Sequence, residues 1–139
     1  MTVIRSSLKV VSQGFCDVID ISEQLADLVG GAAIENGVVV VFCQSSTSAL
    51  TIIEYEPGCV EDLKQFFERI LPSDASYRHN LRWGDGNGYS HLRAALLGAS
   101  LTIPFENHRL TLGTWQQVVL VDFDNRPRKR ELIVQLMGD

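Results

Sequence analysis

The segment from Tyr77 to Leu92, YRHNLRWGDGNGYSHL, contains most of the side chains in this sequence that could bind a ligand or react with one. It holds two of the three histidines, together with an aspartate, two asparagines and two arginines. Gly86 and Gly88 flank Asn87 and predict a tightly turned backbone with positive φ. Ligand-type side chains on a turned loop indicate a binding site, because such residues concentrate on loops held by a rigid scaffold. The alternative is an ordinary solvated loop.

Metal binding is one chemistry that this segment could support. A zinc ion takes three or four nitrogen, sulfur or carboxylate ligands. His79 and His91 supply two, so Asp85, Glu54 or a partner subunit would have to complete the set. The competing interpretation is that His91 caps or packs a short helix while His79 forms hydrogen bonds within the loop.

Anion binding is the other chemistry, and it needs only donors rather than a fixed ligand count. Hydroxyl groups, guanidinium groups and a concave arrangement of backbone amides can all hold phosphoryl oxygens. The predicted anion-binding residues are Ser46, Thr47, Arg78, Asn87, Gly88 and Arg93. A helix beginning at His91 would add free N–H groups. These residues favour an anion over a divalent metal as the bound group, although the sequence leaves the cofactor unknown.

Composition excludes several classes of protein. A length of 139 residues predicts a single domain over residues 1–139, and a net charge of −5 disfavours binding to nucleic acid. The basic cluster Arg126–Arg130 is expected on a solvent-facing strand edge. No apolar run has the length of a membrane span. The three cysteines form no CxxC pair, which predicts neither disulfides nor a thiolate metal site and favours a cytoplasmic protein. Cys43 is expected to be an inert core thiol.

Two helices follow from hydrophobic periodicity, and a third is suggested. Ser22 is a candidate N-cap for the first, which Gly30 and Gly31 weaken. Apolar residues at helical spacing predict a second over Val60–Leu71. A short third helix over His91–Leu97 would end at Gly98.

Eight segments have the composition of strands, and they do not alternate regularly with helices. The predicted strands are Val3–Val11, Phe15–Ile19, Val38–Phe42, Leu50–Ile53, Leu101–Phe105, Arg109–Leu112, Gln117–Phe123 and Arg128–Leu136. The continuous β-branched run Val38–Phe42 predicts burial on both faces. The fold class is therefore α+β and mainly β, and an antiparallel, jelly-roll-like β-sandwich with two or three helices fits best.

Three motifs together resemble a known family. They are the stretch from Ser100 to Asp124, SLTIPFENHRLTLGTWQQVVLVDFD, the segment HN…DGNG…HL, and TSALTI followed by Glu54. In this order they resemble the YjbQ-like family, also called UPF0047, over essentially the whole chain. The combination of LGTWQ with an upstream DGNG and a His is specific.

The resemblance implies a fold and a site. The fold would be a jelly-roll-like sandwich assembled as a homotrimer, with a pocket near the subunit interface that holds a metal or an anion. Members are commonly labelled secondary thiamine-phosphate synthases, which implies an activity of that type. In this chain the resemblance implies that Gln116 faces the pocket and Trp115 walls it. Glu54, at the end of a strand, is a candidate base or metal ligand, or a surface carboxylate.

The chain departs from the family pattern at three positions. Ser45 stands where members usually carry a His, Tyr89 replaces a residue of the usual GN…H segment, and His108 replaces the Gly of an Asn-Gly turn. A histidine metal site would therefore lack at least one ligand.

Two functions follow from these observations. The first is a YjbQ-family protein that binds a phosphorylated small molecule, with His91, Gln116 and Glu54 as catalytic candidates and weak thiamine-phosphate synthase-type activity. The second is a non-catalytic trimeric binding protein that has lost the family's histidine. For both functions the predicted partners are further copies of the same chain and a phosphorylated small molecule. Neither function involves nucleic acid or a membrane.

Overall fold

Eight strands and four helices make up the chain, and the computed structural model describes residues 1–139 throughout. The strands are β1 (Thr2–Ser12), β2 (Asp17–Asp20), β3 (Gly37–Cys43), β4 (Ser48–Ile53), β5 (Ser100–Glu106), β6 (Arg109–Leu110), β7 (Gln117–Asp122) and β8 (Arg128–Gly138). The helices are α1 (Ser22–Gly30), α2 (Pro57–Ile70), α3 (Arg78–Trp83) and α4 (Gly88–Leu97). None of these helices combines the length and the apolar character that crossing a lipid bilayer requires.

The strands form two antiparallel sheets. One has the order β1-β8-β3-β5-β6 and the other the order β2-β7-β4. All eight predicted strands are present, and the predicted α+β class with mainly antiparallel pairing is confirmed. The expected number of helices was too low, because α3 lies within the polar segment and buries no residue that would give it a periodic apolar face.

Strand β7 separates two hydrophobic cores. Val118 and Leu120 join the core between the two sheets, while Val119 and Val121 face a second core that includes Phe67 of α2. Side chains alternate between the two faces of a strand, so an uninterrupted apolar run is what a strand with two buried faces requires. Each of these fully buried side chains contributes roughly 1.5–3 kcal/mol.

Strand β3 does not have the two buried faces predicted for it. Val39 and Val41 are fully buried between the sheets, whereas Val38 and Val40 are only partly buried and Phe42 is 41% exposed. The second apolar face of β3 lies on the outer side of the five-stranded sheet, where nothing within the chain covers it.

The helix starts also differ from the sequence-based expectations. Ser22 is the first residue of α1 rather than its N-cap, and its hydroxyl accepts a hydrogen bond from Val118 N. Helix α2 begins at Pro57, three residues before the predicted start at Val60. Proline is tolerated there because the first N–H groups of a helix have no partner within the helix. Glu56 caps α2 by accepting hydrogen bonds from the first turn, which lowers the pKa of its carboxyl group.

Candidate functional site

A polar cleft of about 520 Å³ opens where β4 begins and β7 ends. It is bounded by the loop before β4, helices α3 and α4, and the turn between β7 and β8. The lining residues are almost all polar: Gln44, Ser45, Ser46, Thr47, His79, Trp83, Asp85, Asn87, His91, Asp124, Arg128 and Arg130. The predicted site residues Ser46, Thr47, His79, Asp85, Asn87 and His91 are thus brought together, although they span forty-six positions of the chain.

A buried ionic network forms the floor of this cleft. The carboxylates of Asp122 and Asp124 are both 0% exposed. Arg130 donates to both oxygens of Asp122, at 2.8 and 3.0 Å, and Arg128 donates to Asp124 at 3.0 Å. Because buried carboxylates are costly unless paired and hydrogen-bonded, these contacts fix both arginines in place.

Thr47 links the two ion pairs. Its hydroxyl donates to Asp124 Oδ2 at 3.0 Å and accepts from Arg130 Nη2 at 2.8 Å. Asn87 Nδ2 also donates to Asp124, at 3.2 Å. Burial alone would raise the pKa of Asp124, but the hydrogen bonds from Asn87, Asn125 N, Thr47 and Arg128 outweigh it and lower that pKa. The carboxylate therefore remains ionised.

The pKa of Arg130 reflects the same balance. Burial would lower it, but the hydrogen bonds and charge of Asp122 raise the pKa above its ordinary value. Both arginines still present one free nitrogen, since neither Nη1 has a hydrogen-bond partner within the chain. Two fixed guanidinium groups therefore offer spare donors at the wall of the cleft.

The basic cluster was predicted to face solvent, and this is wrong for Arg128 and Arg130. Residues 128 and 130 have the same parity as Leu132, Val134 and Leu136, the buried residues of β8. Alternation therefore points both arginines inward, opposite Asp122 at the end of β7 and Asp124 in the turn that follows. Sequence reasoning missed all four network residues, although this parity could have revealed them.

The two histidines of the cleft stack on each other. The ring centroids of His79 and His91 are 4.2 Å apart, at an interplanar angle of 39°. Burial, and next the charge of His79, lower the pKa of His91, so its imidazole is neutral at pH 7 and can accept a proton. Asp85 Oδ1 lies 3.6 Å from His79 Nδ1, which is too far for a hydrogen bond.

Within one chain the residues present do not form a metal-binding group. No group of three or more His, Cys, Asp or Glu side chains is placed to hold one, so His79, His91 and Asp85 do not assemble into the ligand set considered from the sequence. Ser45, at the position where relatives are expected to carry a His, lines the cleft, and its hydroxyl accepts a hydrogen bond from Thr47 N. A neutral hydroxyl is a poor zinc ligand.

The amide nest predicted at Asn87 and Gly88 is absent. Gly88 N donates to Asn80 Oδ1 at 2.9 Å and is therefore unavailable to an anion. Positive φ occurs at Gly84 and Gly86, not at Gly88. Gly88 is required for another reason: a Cβ there would lie 2.7 Å from the Cβ of Tyr77 and would push α3 away from α4.

Helix α4 separates His91 from Arg93. Because the helix begins at Gly88, three residues earlier than expected, His91 lies in its second turn and offers no free N–H group. Two residues along a helix are about 200° apart around its axis. Arg93 and Tyr89 accordingly line a different cavity of about 280 Å³, between α2 and α4.

Arg93 has a structural role in that second cavity. It is 3% exposed and donates to Glu68 at 2.7 Å and to the carbonyl oxygen of Leu71. The hydrogen bonds from Ser73 N and from Arg93 lower the pKa of Glu68 to about 2. Arg78 is exposed at the start of α3 and does not line the cleft. Neither arginine is placed with the hydroxyl groups of Ser46 and Thr47 as predicted.

Glu54, Trp115 and Gln116 lie at the far end of the three-stranded sheet. Register pairs Ser48 with Asp122 at the cleft, and Ile53 with Gln117 at the other end. Five residues of strand separate the two ends by ~17 Å. Trp115 is 72% exposed, and Gln116 Oε1 accepts a hydrogen bond from Gly113 N in its own loop. Within one chain these three residues do not meet the cleft.

The three departures from the family pattern have different surroundings. Ser45 lines the cleft, Tyr89 packs on Arg93 in the second cavity, and His108 lies in the turn between β5 and β6. His108 has φ of 59°, the region that glycine adopts without strain, so it occupies a glycine-like position at some cost.

Fold and site together define a class: small α+β proteins of two antiparallel sheets, with a polar cleft lined by fixed arginines, histidines and hydroxyl groups. A sequence model of the family described as UPF0047 protein YjbQ-like matches residues 6–139, and the chain belongs to this family. A UPF0047 protein of Methanothermobacter thermautotrophicus is 38% identical over 138 residues, which cover 99% of this chain and 94% of that relative.

Solved structures have the same fold. A hypothetical protein from Aeropyrum pernix K1 superposes with a TM-score of 0.90 at 29% identity, over 98% of this chain and 99% of its own. A YbjQ-like protein of unknown function from Sulfolobus solfataricus P2 gives a TM-score of 0.89 at 28% identity, over 99% of this chain and 100% of its own. The family resemblance noted in the sequence is confirmed.

Proposed function

We propose that the cleft binds a phosphorylated small molecule. The observation that carries the proposal is the pair of unpartnered Nη1 groups on Arg128 and Arg130, at the wall of a cleft that also presents the hydroxyl groups of Ser45 and Ser46. Arginine N–H groups form strong, charge-assisted hydrogen bonds with phosphoryl oxygens. Because the aspartates hold both guanidinium groups in advance, binding a ligand requires little further ordering of these side chains.

The donors of the cleft, rather than its net charge, favour an anion. Asp122 and Asp124 balance Arg128 and Arg130 at the floor, and Asp85 adds a carboxylate at the lining, so the free donors decide what binds. Protonation of His91 on ligand binding would add positive charge. The pocket is proposed to prefer phosphate or sulfate to a transition metal, since the cleft has donors but no metal-binding group.

Phosphate affinity tests the proposal, with a matched pair of arginines in the same turn. Arg128→Ala removes a free donor and leaves Asp124 with an unbalanced charge, whereas Arg126 is exposed and does not line the cleft. Calorimetric titration with inorganic phosphate should show Arg128→Ala weakened by about tenfold or more, the size of a lost charged hydrogen bond. Arg126→Ala should bind as the natural chain does. Equal affinities in all three proteins would contradict the proposal.

Weak transfer chemistry is a second element of the proposal. In a thiamine-phosphate synthase-type step, the thiazole ring nitrogen forms a bond to the methylene carbon of the pyrimidine while the bond from that carbon to pyrophosphate breaks. Fixed arginines would stabilise the charge of the leaving pyrophosphate. Release of pyrophosphate from a hydroxymethylpyrimidine diphosphate and a thiazole phosphate should then fall in Arg128→Ala and in His91→Gln, since both side chains line the cleft. The competing proposal is a binding protein without catalysis. Ser45, in place of the family's His, favours it, and Ser45→His would then gain turnover that the natural chain lacks.

The assembly is proposed to be a homotrimer with a jelly-roll-like sandwich in each cytoplasmic subunit. The uncovered outer face of the five-stranded sheet, with Val38, Val40 and Phe42, supports burial against another copy. Light scattering at micromolar concentration should give three times the chain mass of 15.4 kDa. A clean monomer would be incompatible with this assembly.

A further inference from the structure

A groove continues from the polar cleft along helix α4. It has a volume of about 310 Å³ and shares Ser45, Ser46 and His91 with the cleft. Beyond His91 its walls are small residues: Ala94, Ala95, Gly98 and Ala99, which are apolar, and Ser48 at the start of β4. The polar cleft and the apolar groove are therefore two parts of one continuous depression, with His91 at their junction.

The groove follows from the spacing along α4. Residues 91, 94, 95 and 98 recur at helical spacing and present one face of the helix. A helix face next to a sheet is normally filled by large side chains, since protein interiors are close-packed. Here the largest apolar group is a methyl, and a Cβ built at Gly98 would meet nothing within 4 Å. The space is left unfilled by the chain.

The adjoining cleft contains an independent sign of a ligand. Asn87 is 5% exposed, and its Oδ1 is buried without a hydrogen-bond partner. The orientation of this amide is fixed, because Nδ2 must face the carboxylate of Asp124, which can only accept. A buried acceptor without a donor is costly, so a bound group that carries an O–H or N–H would remove that cost.

We infer that the ligand is a phosphate monoester with an apolar body, its phosphoryl group in the cleft and its apolar body in the alanine-lined groove. The inference rests on the proposed function, because it assigns the phosphoryl end to Arg128 and Arg130. The second pKa of a phosphate monoester is about 6, so the monoanion that retains one P–OH is the minor form at neutral pH, and a hydrogen bond to a buried acceptor favours its binding. That P–OH can donate to Asn87 Oδ1, while the apolar body loses contact with water against Ala94, Ala95 and Ala99.

A homologous ligand series tests the inference in the full-length protein. Dissociation constants are measured for inorganic phosphate and for methyl, ethyl, propyl and butyl phosphate. Affinity should rise by about fourfold for each methylene that enters the groove, the ratio corresponding to ~0.8 kcal/mol per buried methylene. In Ala95→Leu, the dissociation constants of butyl phosphate and methyl phosphate should be nearly equal, because the larger side chain fills the groove. Leu96→Ala, at an exposed position outside the groove, should keep the full dependence on chain length.

Each other outcome is decisive. If phosphate and all the esters bind equally, the groove does not hold the ligand and the inference fails, while the proposed function stands. If none binds, the proposed function fails and this inference fails with it. If Ala95→Leu retains the dependence on chain length, the apolar body lies elsewhere. Should that variant not fold, methyl NMR of the natural chain decides, because butyl phosphate must shift Ala94, Ala95 and Ala99 more than methyl phosphate does.

Discussion

The two ends of the three-stranded sheet carry polar residues in similar density but differ in what surrounds them. At the cleft end, Thr47, Asp122 and Asp124 are buried in a shared network with two arginines. At the opposite end, Glu54, Trp115 and Gln116 are exposed, and Gln116 contacts only its own loop. The difference shows that a polar residue at a strand end becomes part of a site only where other elements converge on it.

The elements that converge on the cleft are β8 and the two short helices. The turn from β7 to β8 brings Arg128 and Arg130 opposite the aspartates, and α4 brings Asn87 and His91 from the other side. The loop that carries Trp115 is exposed at each of its residues from Gly113 to Gln116. The comparison predicts that equivalent substitutions at the two ends will differ in effect.

The largest difference in the free energy of unfolding is expected between Asp124→Ala, at the cleft end, and Glu54→Ala, at the opposite end. Removal of Asp124 leaves Arg128, Thr47 and Asn87 without their shared acceptor, and breaking such a buried ion pair costs ~3–5 kcal/mol. Glu54 is exposed, and its loss should change the free energy of unfolding by less than about 0.5 kcal/mol. Urea denaturation of both variants measures the difference. Similar losses in the two would mean that the buried network does not stabilise the fold.

A smaller difference is expected between two threonines. Thr47→Val removes the hydroxyl that connects Asp124 with Arg130 and leaves both with one partner fewer, at a cost of about 1–3 kcal/mol. Thr114→Val, in the exposed loop at the other end, should be close to neutral. The free energy of unfolding is again the readout. A neutral Thr47→Val would show that water replaces the hydroxyl without loss.

Stability should decline on the acid side because of His91. Its pKa in the folded state is lowered, so the unfolded chain binds the proton first as the pH falls below the ordinary value of about 6.5. Stability is lost from there down to the folded pKa. Between about pH 7.5 and about pH 5.5 the natural chain should lose more stability than His91→Gln. Equal losses would assign the acid sensitivity to other groups.

Bound phosphate should raise the pKa of His91 in an NMR titration.

The smallest effect is expected at the exposed end. Within one chain Gln116 is remote from the cleft, so Gln116→Ala should leave phosphate affinity unchanged when the protein is held as a monomer. A loss of affinity that appears only at concentrations where the chain associates would show that Gln116 reaches the cleft of a neighbouring subunit. Phosphate titrations at two protein concentrations, with mass measured by light scattering, separate the two cases.

Local signals determined much of the fold. Hydrophobic alternation located all eight strands to within a few residues, and Pro57 and Gly98 bound two of the helices. The motifs around Asn87 and Thr47 identified the cleft residues Ser46, Thr47, His79, Asp85, Asn87 and His91 before their distances were known. These features depend on neighbours in sequence, or on a pattern long enough to specify a family.

Tertiary structure alone decided the rest. Whether Arg93 or Arg128 faces the cleft depends on how α4 packs and on which sheet β8 joins. His91 and Arg93 are about 200° apart around α4, so they face different cavities. The pairing of Asp122 with Arg130 depends on the two sheets meeting at that edge. The sequence alone determined which residues could do the chemistry. Packing of distant elements decided which of them share a site, because charge and hydrogen-bond partners in a folded chain are set by distance in space.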